Sequence, residues 1–230
     1  MQQNSHREIW FIRHSESVAN AGARTREAPT YPLSALGFRQ AEQLAAALHA
    51  EPDLIVMSPY VRAQQTAEPT IRRFPKACVE EWPVHEVQYL DPALCVDTTQ
   101  EERRALSEEY WQRCDPHYSA AGAESFAEFS TRIRNAIGRA LRRTERRIFV
   151  FCHGQVMQVI AWLAFSRPAS PDSAAMRRFY NFMQGITVPN CSILPLHLHA
   201  DGSHTLAGLW VPSGIEAGAS DRNEAEQVGV

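Results

Sequence analysis

Short apolar runs alternate with longer amphipathic stretches from Ile9 to Phe165. The runs near 8–13, 53–57, 77–82 and 147–152 have strand length and stop at polar or turn-forming residues. Between them, Ser34 to Ala50 carries Leu36, Leu44, Ala47 and Leu48 on one helical face, and Tyr60 to Phe74 opens beside Pro59. Ser125 to Arg143 repeats Phe126, Phe129, Ile133 and Ile137 at the same spacing, and Gln155 to Phe165 forms a further helix. Two later runs, 191–198 and 204–211, read as strands. Strands alternating with helices predict βαβ units, hence an α/β fold: a three-layer α/β/α sandwich with a mostly parallel central sheet.

One stretch breaks the alternation. From about 87 to 121 the chain has turns at Asp91-Pro92 and Asp115-Pro116 and a charged helical segment from Gln100 to Arg113. This exceeds an ordinary connection and predicts a small cap insertion. From Gly214 onward no apolar period survives, so the chain reads as a single domain over 1–216 followed by a flexible tail over 217–230.

Composition narrows the partners. Hydrophobic residues make up 44% and charged residues 21%, enough for a packed core, while a net charge of -3 gives no general pull toward nucleic acid or anionic membranes. Small molecules are therefore the expected partners. The five cysteines form no Cys-x-x-Cys pair, so neither a disulfide framework nor a zinc ribbon is indicated. The polar start, Met1 to Glu8, leads into no signal-peptide apolar segment, and no run is long enough to span a bilayer. These features predict a cytoplasmic protein with reduced thiols, and they are compatible with a homodimer.

The chemistry is concentrated where apolar runs end. Ile9-Trp10-Phe11-Ile12 stops at Arg13-His14-Ser15-Glu16-Ser17, and Ile148-Phe149-Val150-Phe151 stops at Cys152-His153-Gly154. Open α/β sheets keep their sites at the carboxyl ends of strands, so two histidines can face each other across one sheet edge. Ser58-Pro59-Tyr60-Val61-Arg62 follows a third run and puts Arg62 one turn into a helix beside the same edge. Two arginines and two histidines suit a compact dianion, because the guanidinium fork matches phosphate oxygens.

At these residues the sequence resembles the histidine phosphatase superfamily. Its Arg-His-Gly-Glu type box reads Arg13-His14-Ser15-Glu16, its Ser-Pro-x-x-Arg-x-x-Gln-Thr-Ala box runs from Ser58 to Ala67, and its His-Gly box reads His153-Gly154. Leu33-Ser34-Ala35-Leu36-Gly37 and Gly122-Ala123-Glu124-Ser125 followed by Arg132 match lesser features. The resemblance implies a phosphomonoester hydrolase acting on a small phosphorylated metabolite, with no metal or other cofactor. It implies that His14 is the nucleophile forming a phosphohistidine, that Arg13, Arg62 and His153 hold phosphoryl oxygens, and that Glu86 is the general acid and base. Glu80, Glu81 and Asp91 compete for that last role as nearby carboxylates. Ser17, Asn20 and Gly154 correspond to substrate contacts, though Ser17 and Asn20 also suit an ordinary turn.

The departures leave alternatives. Ser15 stands where the family has glycine, which puts the pocket's shape in question. A cofactor-dependent phosphoglycerate mutase would carry lysine and an Arg-His-Tyr-Gly type segment after the acid. Here Val87-Gln88-Tyr89-Leu90 follows, and Lys76, the sole lysine, precedes it. An inactive phospholigand-binding module would lack the nucleophile or the acid. His85 either tunes Glu86 or is a surface imidazole. His197 and His199 lie two apart on a strand without a third metal ligand, which favours a half-exposed strand.

Overall fold

The computed structural model describes residues 7–218 apart from 167 and 169. Strands β1 (Arg7–Arg13), β2 (Leu54–Met57), β3 (Cys78–Glu81) and β4 (Arg147–Cys152) pair in parallel. β5 (Ile193–Leu198) runs antiparallel to β1, and β6 (His204–Leu206) antiparallel to β5, giving the order β3-β2-β4-β1-β5-β6. The helices among the described residues are α1 (Ala35–Ala47), α2 (Val61–Arg73), α3 (Pro92–Cys95), α4 (Arg104–Arg113), α5 (Phe126–Arg142), α6 (Gly154–Ser166) and α7 (Ser173–Gln184). None is long and apolar enough to cross a membrane.

The period-two alternation of the strands makes the layers. Ile9, Phe11, Leu54, Val56, Ile148 and Val150 pack on one face with Phe129 and Ile133 of α5 and Val156 and Ile160 of α6. Ile12, Ile55, Phe149 and Phe151 point the other way, onto Leu44 of α1 and Ala67 of α2. Each such side chain, removed from water, contributes about 1.5–3 kcal/mol. The expected α/β/α sandwich results, and because β1, β2 and β4 are parallel, Arg13, Ser58 and His153 emerge at one sheet edge.

The insertion over 87–121 is held by aromatic packing. Tyr89 stacks on Tyr110 with centroids 4.6 Å apart, and Trp111 stacks on Tyr180 of α7 at 5.6 Å. Helix α7 was not among the expected elements, although Asp172 caps it and Ala175, Met176, Phe179, Tyr180 and Met183 recur at helical spacing against the core. The strand expected over 204–211 ends at Leu206, since Ala207 turns its N–H onto Pro195 and the chain rejoins the sheet only at Trp210, opposite Ile193. Residues up to Glu216 are tied to α1. Arg39 meets both carboxylate oxygens of Glu216 at 3.1 Å, and Gln40 Nε2 donates to the Glu216 carbonyl at 2.7 Å. The tail expected over 217–230 lies outside the described residues beyond Gly218.

Helix α1 is capped by Ser34, whose Oγ accepts from Gly37 N at 2.9 Å, and its first turn sits against Glu16. A Cβ on Gly37 would overlap the Glu16 carbonyl oxygen, a backbone atom that cannot step aside. Gly37→Ala is therefore expected to destabilise the protein by about 1–3 kcal/mol through overpacking. Gly138→Ala, whose nearest neighbour is the movable end of Arg142, should instead be neutral or stabilising by up to ~1 kcal/mol. Thermal unfolding of the two variants checks this, and an unchanged Gly37→Ala would contradict the packing described.

Candidate active site

His14 follows the last residue of β1 and is 4% exposed. Its Nδ1 lies 2.7 Å from the Ser15 carbonyl, which can only accept, so Nδ1 carries the proton and Nε2 keeps its lone pair. Arg62 Nε donates to that Nε2 at 3.2 Å. Burial, then the charges of Arg62 and Arg13, hold the His14 pKa well below the ordinary imidazole value against the opposing Ser15 bond. The ring is thus neutral, with its free nitrogen turned toward guanidinium.

Arg62 is itself fixed on several sides. Its Nη1 donates to the Ala28 carbonyl at 2.7 Å, and its Cζ lies 4.4 Å from the Tyr31 ring and 4.8 Å from the Tyr60 ring. Arg13 donates to the Val188 carbonyl and lies beside Gly154, where an added Cβ would stand 3.5 Å from Arg13 Nε.

His153 follows β4, fully buried, with its ring 5.1 Å from that of His14. Its Nε2 lies 2.8 Å from Ser58 Oγ, which already accepts from Tyr60 N at 3.2 Å. Ser58 can therefore give its hydroxyl proton to Nε2, leaving a proton on Nδ1. That Nδ1 is buried without a hydrogen-bond partner, and in the tautomer set by a Ser58 donor it can serve an anion. Burial first, then Arg62, lowers the His153 pKa well below its ordinary value.

Glu86 lies five residues past the end of β3, on a segment with no regular structure. Its Oε2 accepts from Gln155 N at the start of α6 at 3.1 Å, and its Oε1 from Val87 N at 3.2 Å. Burial raises its pKa, while those bonds and the charges of Arg62 and Arg13 pull the other way. The competing carboxylates are engaged elsewhere: Glu80 with Arg139, Arg143 and Trp82, Glu81 with Gln64, and Asp91 in capping α3. His85 is tilted against Tyr60 at 5.4 Å, and burial with Arg132 pushes its pKa down to about 4.

Ser15, Ser17 and Asn20 resolve in local terms. Ser15 Oγ lies 3.1 Å from Thr66 Oγ1, so the side chain where the family has glycine is housed against α2. Ser17 donates both N–H and Oγ–H to Asn20 Oδ1 in a turn beside His14. Sequence reasoning missed Tyr31, Tyr60, Ser58 and Asn190, whose Nδ2 donates to the His14 carbonyl at 2.9 Å. Ser58 had a signal, as the first residue of a recognised box; Tyr31 and Asn190 had none. Among the described residues no three His, Cys, Asp or Glu side chains converge to hold a metal, and His199 Nε2 lies 2.8 Å from Thr205 Oγ1. A cavity of about 960 Å³ borders this cluster through Tyr60 and His85, but His14, Arg13, Arg62 and His153 do not line it.

Known proteins share this arrangement of elements. A family model described as the histidine phosphatase superfamily (branch 1) matches residues 9–207. The adenosylcobalamin/alpha-ribazole phosphatase of Escherichia coli (strain K12) is 30% identical over 170 residues, covering 70% of this chain and 80% of that protein. The solved alpha-ribazole phosphatase from Shigella flexneri superposes with a TM-score of 0.69 at 22% identity, over 92% of this chain and 98% of its own. A mycobacterial glucosyl-3-phosphoglycerate phosphatase gives 0.66 at 21% identity, over 90% and 100%. Both superpositions show a shared fold.

The buried imidazoles link stability to pH. An unfolded histidine titrates near ~6.5, above the depressed folded value, so below that pH the unfolded chain takes up a proton that His153 refuses. Stability then falls as pH falls. His153→Asn removes one such group and should make the slope shallower by about 1.4 kcal/mol per pH unit between about pH 6 and 5. Denaturant unfolding of both proteins across that range measures it, and identical slopes would contradict a neutral buried His153.

Proposed function

The chain belongs to the histidine phosphatase superfamily, and on that premise we propose that it hydrolyses small phosphomonoesters through a phosphohistidine at His14. The observation that carries this reading is the fixed tautomer. With Nδ1–H held by the Ser15 carbonyl, Nε2 is the nucleophile, and the same bond keeps the ring aimed while it carries the phosphoryl group.

Attack places negative charge on the phosphoryl oxygens with little covalent help from the protein, so stabilisation must be electrostatic. Arg13 and Arg62 supply charge, and the unpartnered His153 Nδ1–H supplies a directed donor. Arg62 Nε donates to His14 Nε2, and a phosphoryl oxygen that takes over this donor frees the lone pair. Arg13 and Arg62 neutralise the transferring dianion and His153 donates to it, so no step calls for a metal ion.

The departing alkoxide needs a proton. Glu86, with a raised pKa and its carboxyl among the same charges, gives it, then accepts one from the water that cleaves the phosphohistidine. Ser17, Asn20 and Gly154 remain the substrate contacts that the family resemblance implies, a reading supported for Gly154 by its place beside Arg13. The names of the similar proteins, all phosphatases, support water rather than a second substrate hydroxyl as acceptor. We place the protein in the cytoplasm, acting on a small phosphorylated metabolite, a reading supported by its five free thiols and mildly acidic charge.

The experiment compares two esters. His14→Ala should abolish turnover of both glycerol 2-phosphate and p-nitrophenyl phosphate. Glu86→Gln should lose about 10²-fold or more on glycerol 2-phosphate but only a few-fold on p-nitrophenyl phosphate, whose leaving group needs no proton. Equal losses on the two esters would remove Glu86 from the acid role.

A further inference from the structure

Glu86 sits on a segment that is neither strand nor helix, since residues 82–88 leave β3 without a ladder of their own. The N–H groups of Gln155 and Val87 hold its carboxyl group directly, and the backbone that carries it is fixed through its carbonyls. Arg132 of α5 donates from Nη1 to the Pro83 carbonyl at 2.8 Å and to the His85 carbonyl at 3.0 Å. Its Nε and Nη2 fork onto the Glu124 carboxylate at 2.7 and 2.6 Å. Glu124 closes the bracket through its own N–H, which donates to the Gln88 carbonyl at 2.8 Å.

The bracket therefore grips the chain on both sides of Glu86, at residues 83, 85 and 88. Its base is rigid: Glu124 precedes Ser125, whose capping box with Glu128 starts α5. Both ionic side chains are largely covered, at 14% and 19% exposure, so water competes weakly for their hydrogen bonds. Only a guanidinium offers enough donors in one plane to serve a carboxylate and two carbonyls together. A lysine would keep the charge and lose that reach.

We infer that Arg132, locked by Glu124, is a positioning residue that sets the Glu86 carboxyl for proton transfer. The inference rests on the reading of Glu86 as the acid and gives a role to the Gly122-Ala123-Glu124-Ser125 and Arg132 signature, which the phosphoryl site leaves unused. Arg132 touches no reacting atom in this account. Its effect passes through the backbone of 83–88, and so it should appear where the leaving group needs a proton.

The test is Arg132→Lys, with kcat and KM measured on glycerol 2-phosphate and p-nitrophenyl phosphate and thermal unfolding recorded alongside. The expected result is a fall in kcat of about 10-fold or more on glycerol 2-phosphate, within about 3-fold on p-nitrophenyl phosphate, with KM little changed on either. In a Glu86→Gln background, Arg132→Lys should cost nothing more on glycerol 2-phosphate. Should Arg132→Lys fail to fold, Glu124→Gln carries the same test, because it loosens the fork while leaving the carbonyl bonds possible. A folded variant that loses equally on both esters, or losses that add in the double variant, would overturn the bracket's role. Glu86→Gln alone separates the two ideas: equal loss on both esters there removes the acid reading and this inference with it. A leaving-group split in Glu86→Gln without one in the bracket variants overturns this inference alone.

Discussion

An imidazole can take up a phosphoryl group only while its attacking nitrogen is unprotonated, and in this protein that condition is met by placing His14 under two guanidinium groups and out of water. Burial and the Arg62 and Arg13 charges act in the same direction on the ring. The hydrogen bond from Nδ1 to the Ser15 carbonyl then decides which nitrogen is free. The same charges that disfavour the imidazolium attract the phosphate dianion. In the proposed reaction, substrate binding and nucleophile activation would thus draw on one electrostatic feature.

The fold holds that feature by joining the strand-end segments to each other. Ser15 N donates to Thr66 Oγ1, and Thr66 in turn donates to the Arg62 carbonyl, so the His14 segment and the Arg62 helix share one hydroxyl. Glu16 N donates to Gln40 Oε1, and its carboxylate accepts from Ser34, which ties the same segment to the start of α1. Ser58 connects the β2 exit to His153. Each bond is modest alone, about 0.5–1.5 kcal/mol, but together they leave the two imidazoles one relative position. Buried polar groups of this kind rigidify a site when every member finds a partner.

What was legible in the sequence follows from how local each signal is. Arg13 with His14, and His153 with Gly154, stand at the ends of apolar runs, so the strand pattern and the charge pattern identified them together. Arg62 was legible because its helix opens directly after a strand. Glu86 was pointed to by the family resemblance and by a strand exit expected just before it, whereas β3 ends at Glu81 and the segment between lacks periodicity. Tyr31 and Asn190 reach the site from loops distant in sequence, and no residue type or spacing announces that Tyr31 will cover a guanidinium. Helix α7 is different, because its capping Asp172 and the spacing of Ala175, Met176, Phe179, Tyr180 and Met183 are local signals that were legible and were not read. The lack of an apolar period after Gly214 hid contacts that are long-range: Ile215 packs on the core, and Glu216 meets Arg39 and Gln40 on α1.

The central claim is that the phosphoryl group passes through His14 Nε2. Substrate labelled in its phosphoryl group, mixed rapidly with the protein and quenched in alkali, tests it most directly, because a phosphoramidate survives base and is lost in acid. Acid-labile, base-stable label is expected on the peptide bearing His14 during turnover, and none in His14→Ala. Label on another residue, or turnover through the first cycle with no protein-bound label at any time, would contradict it.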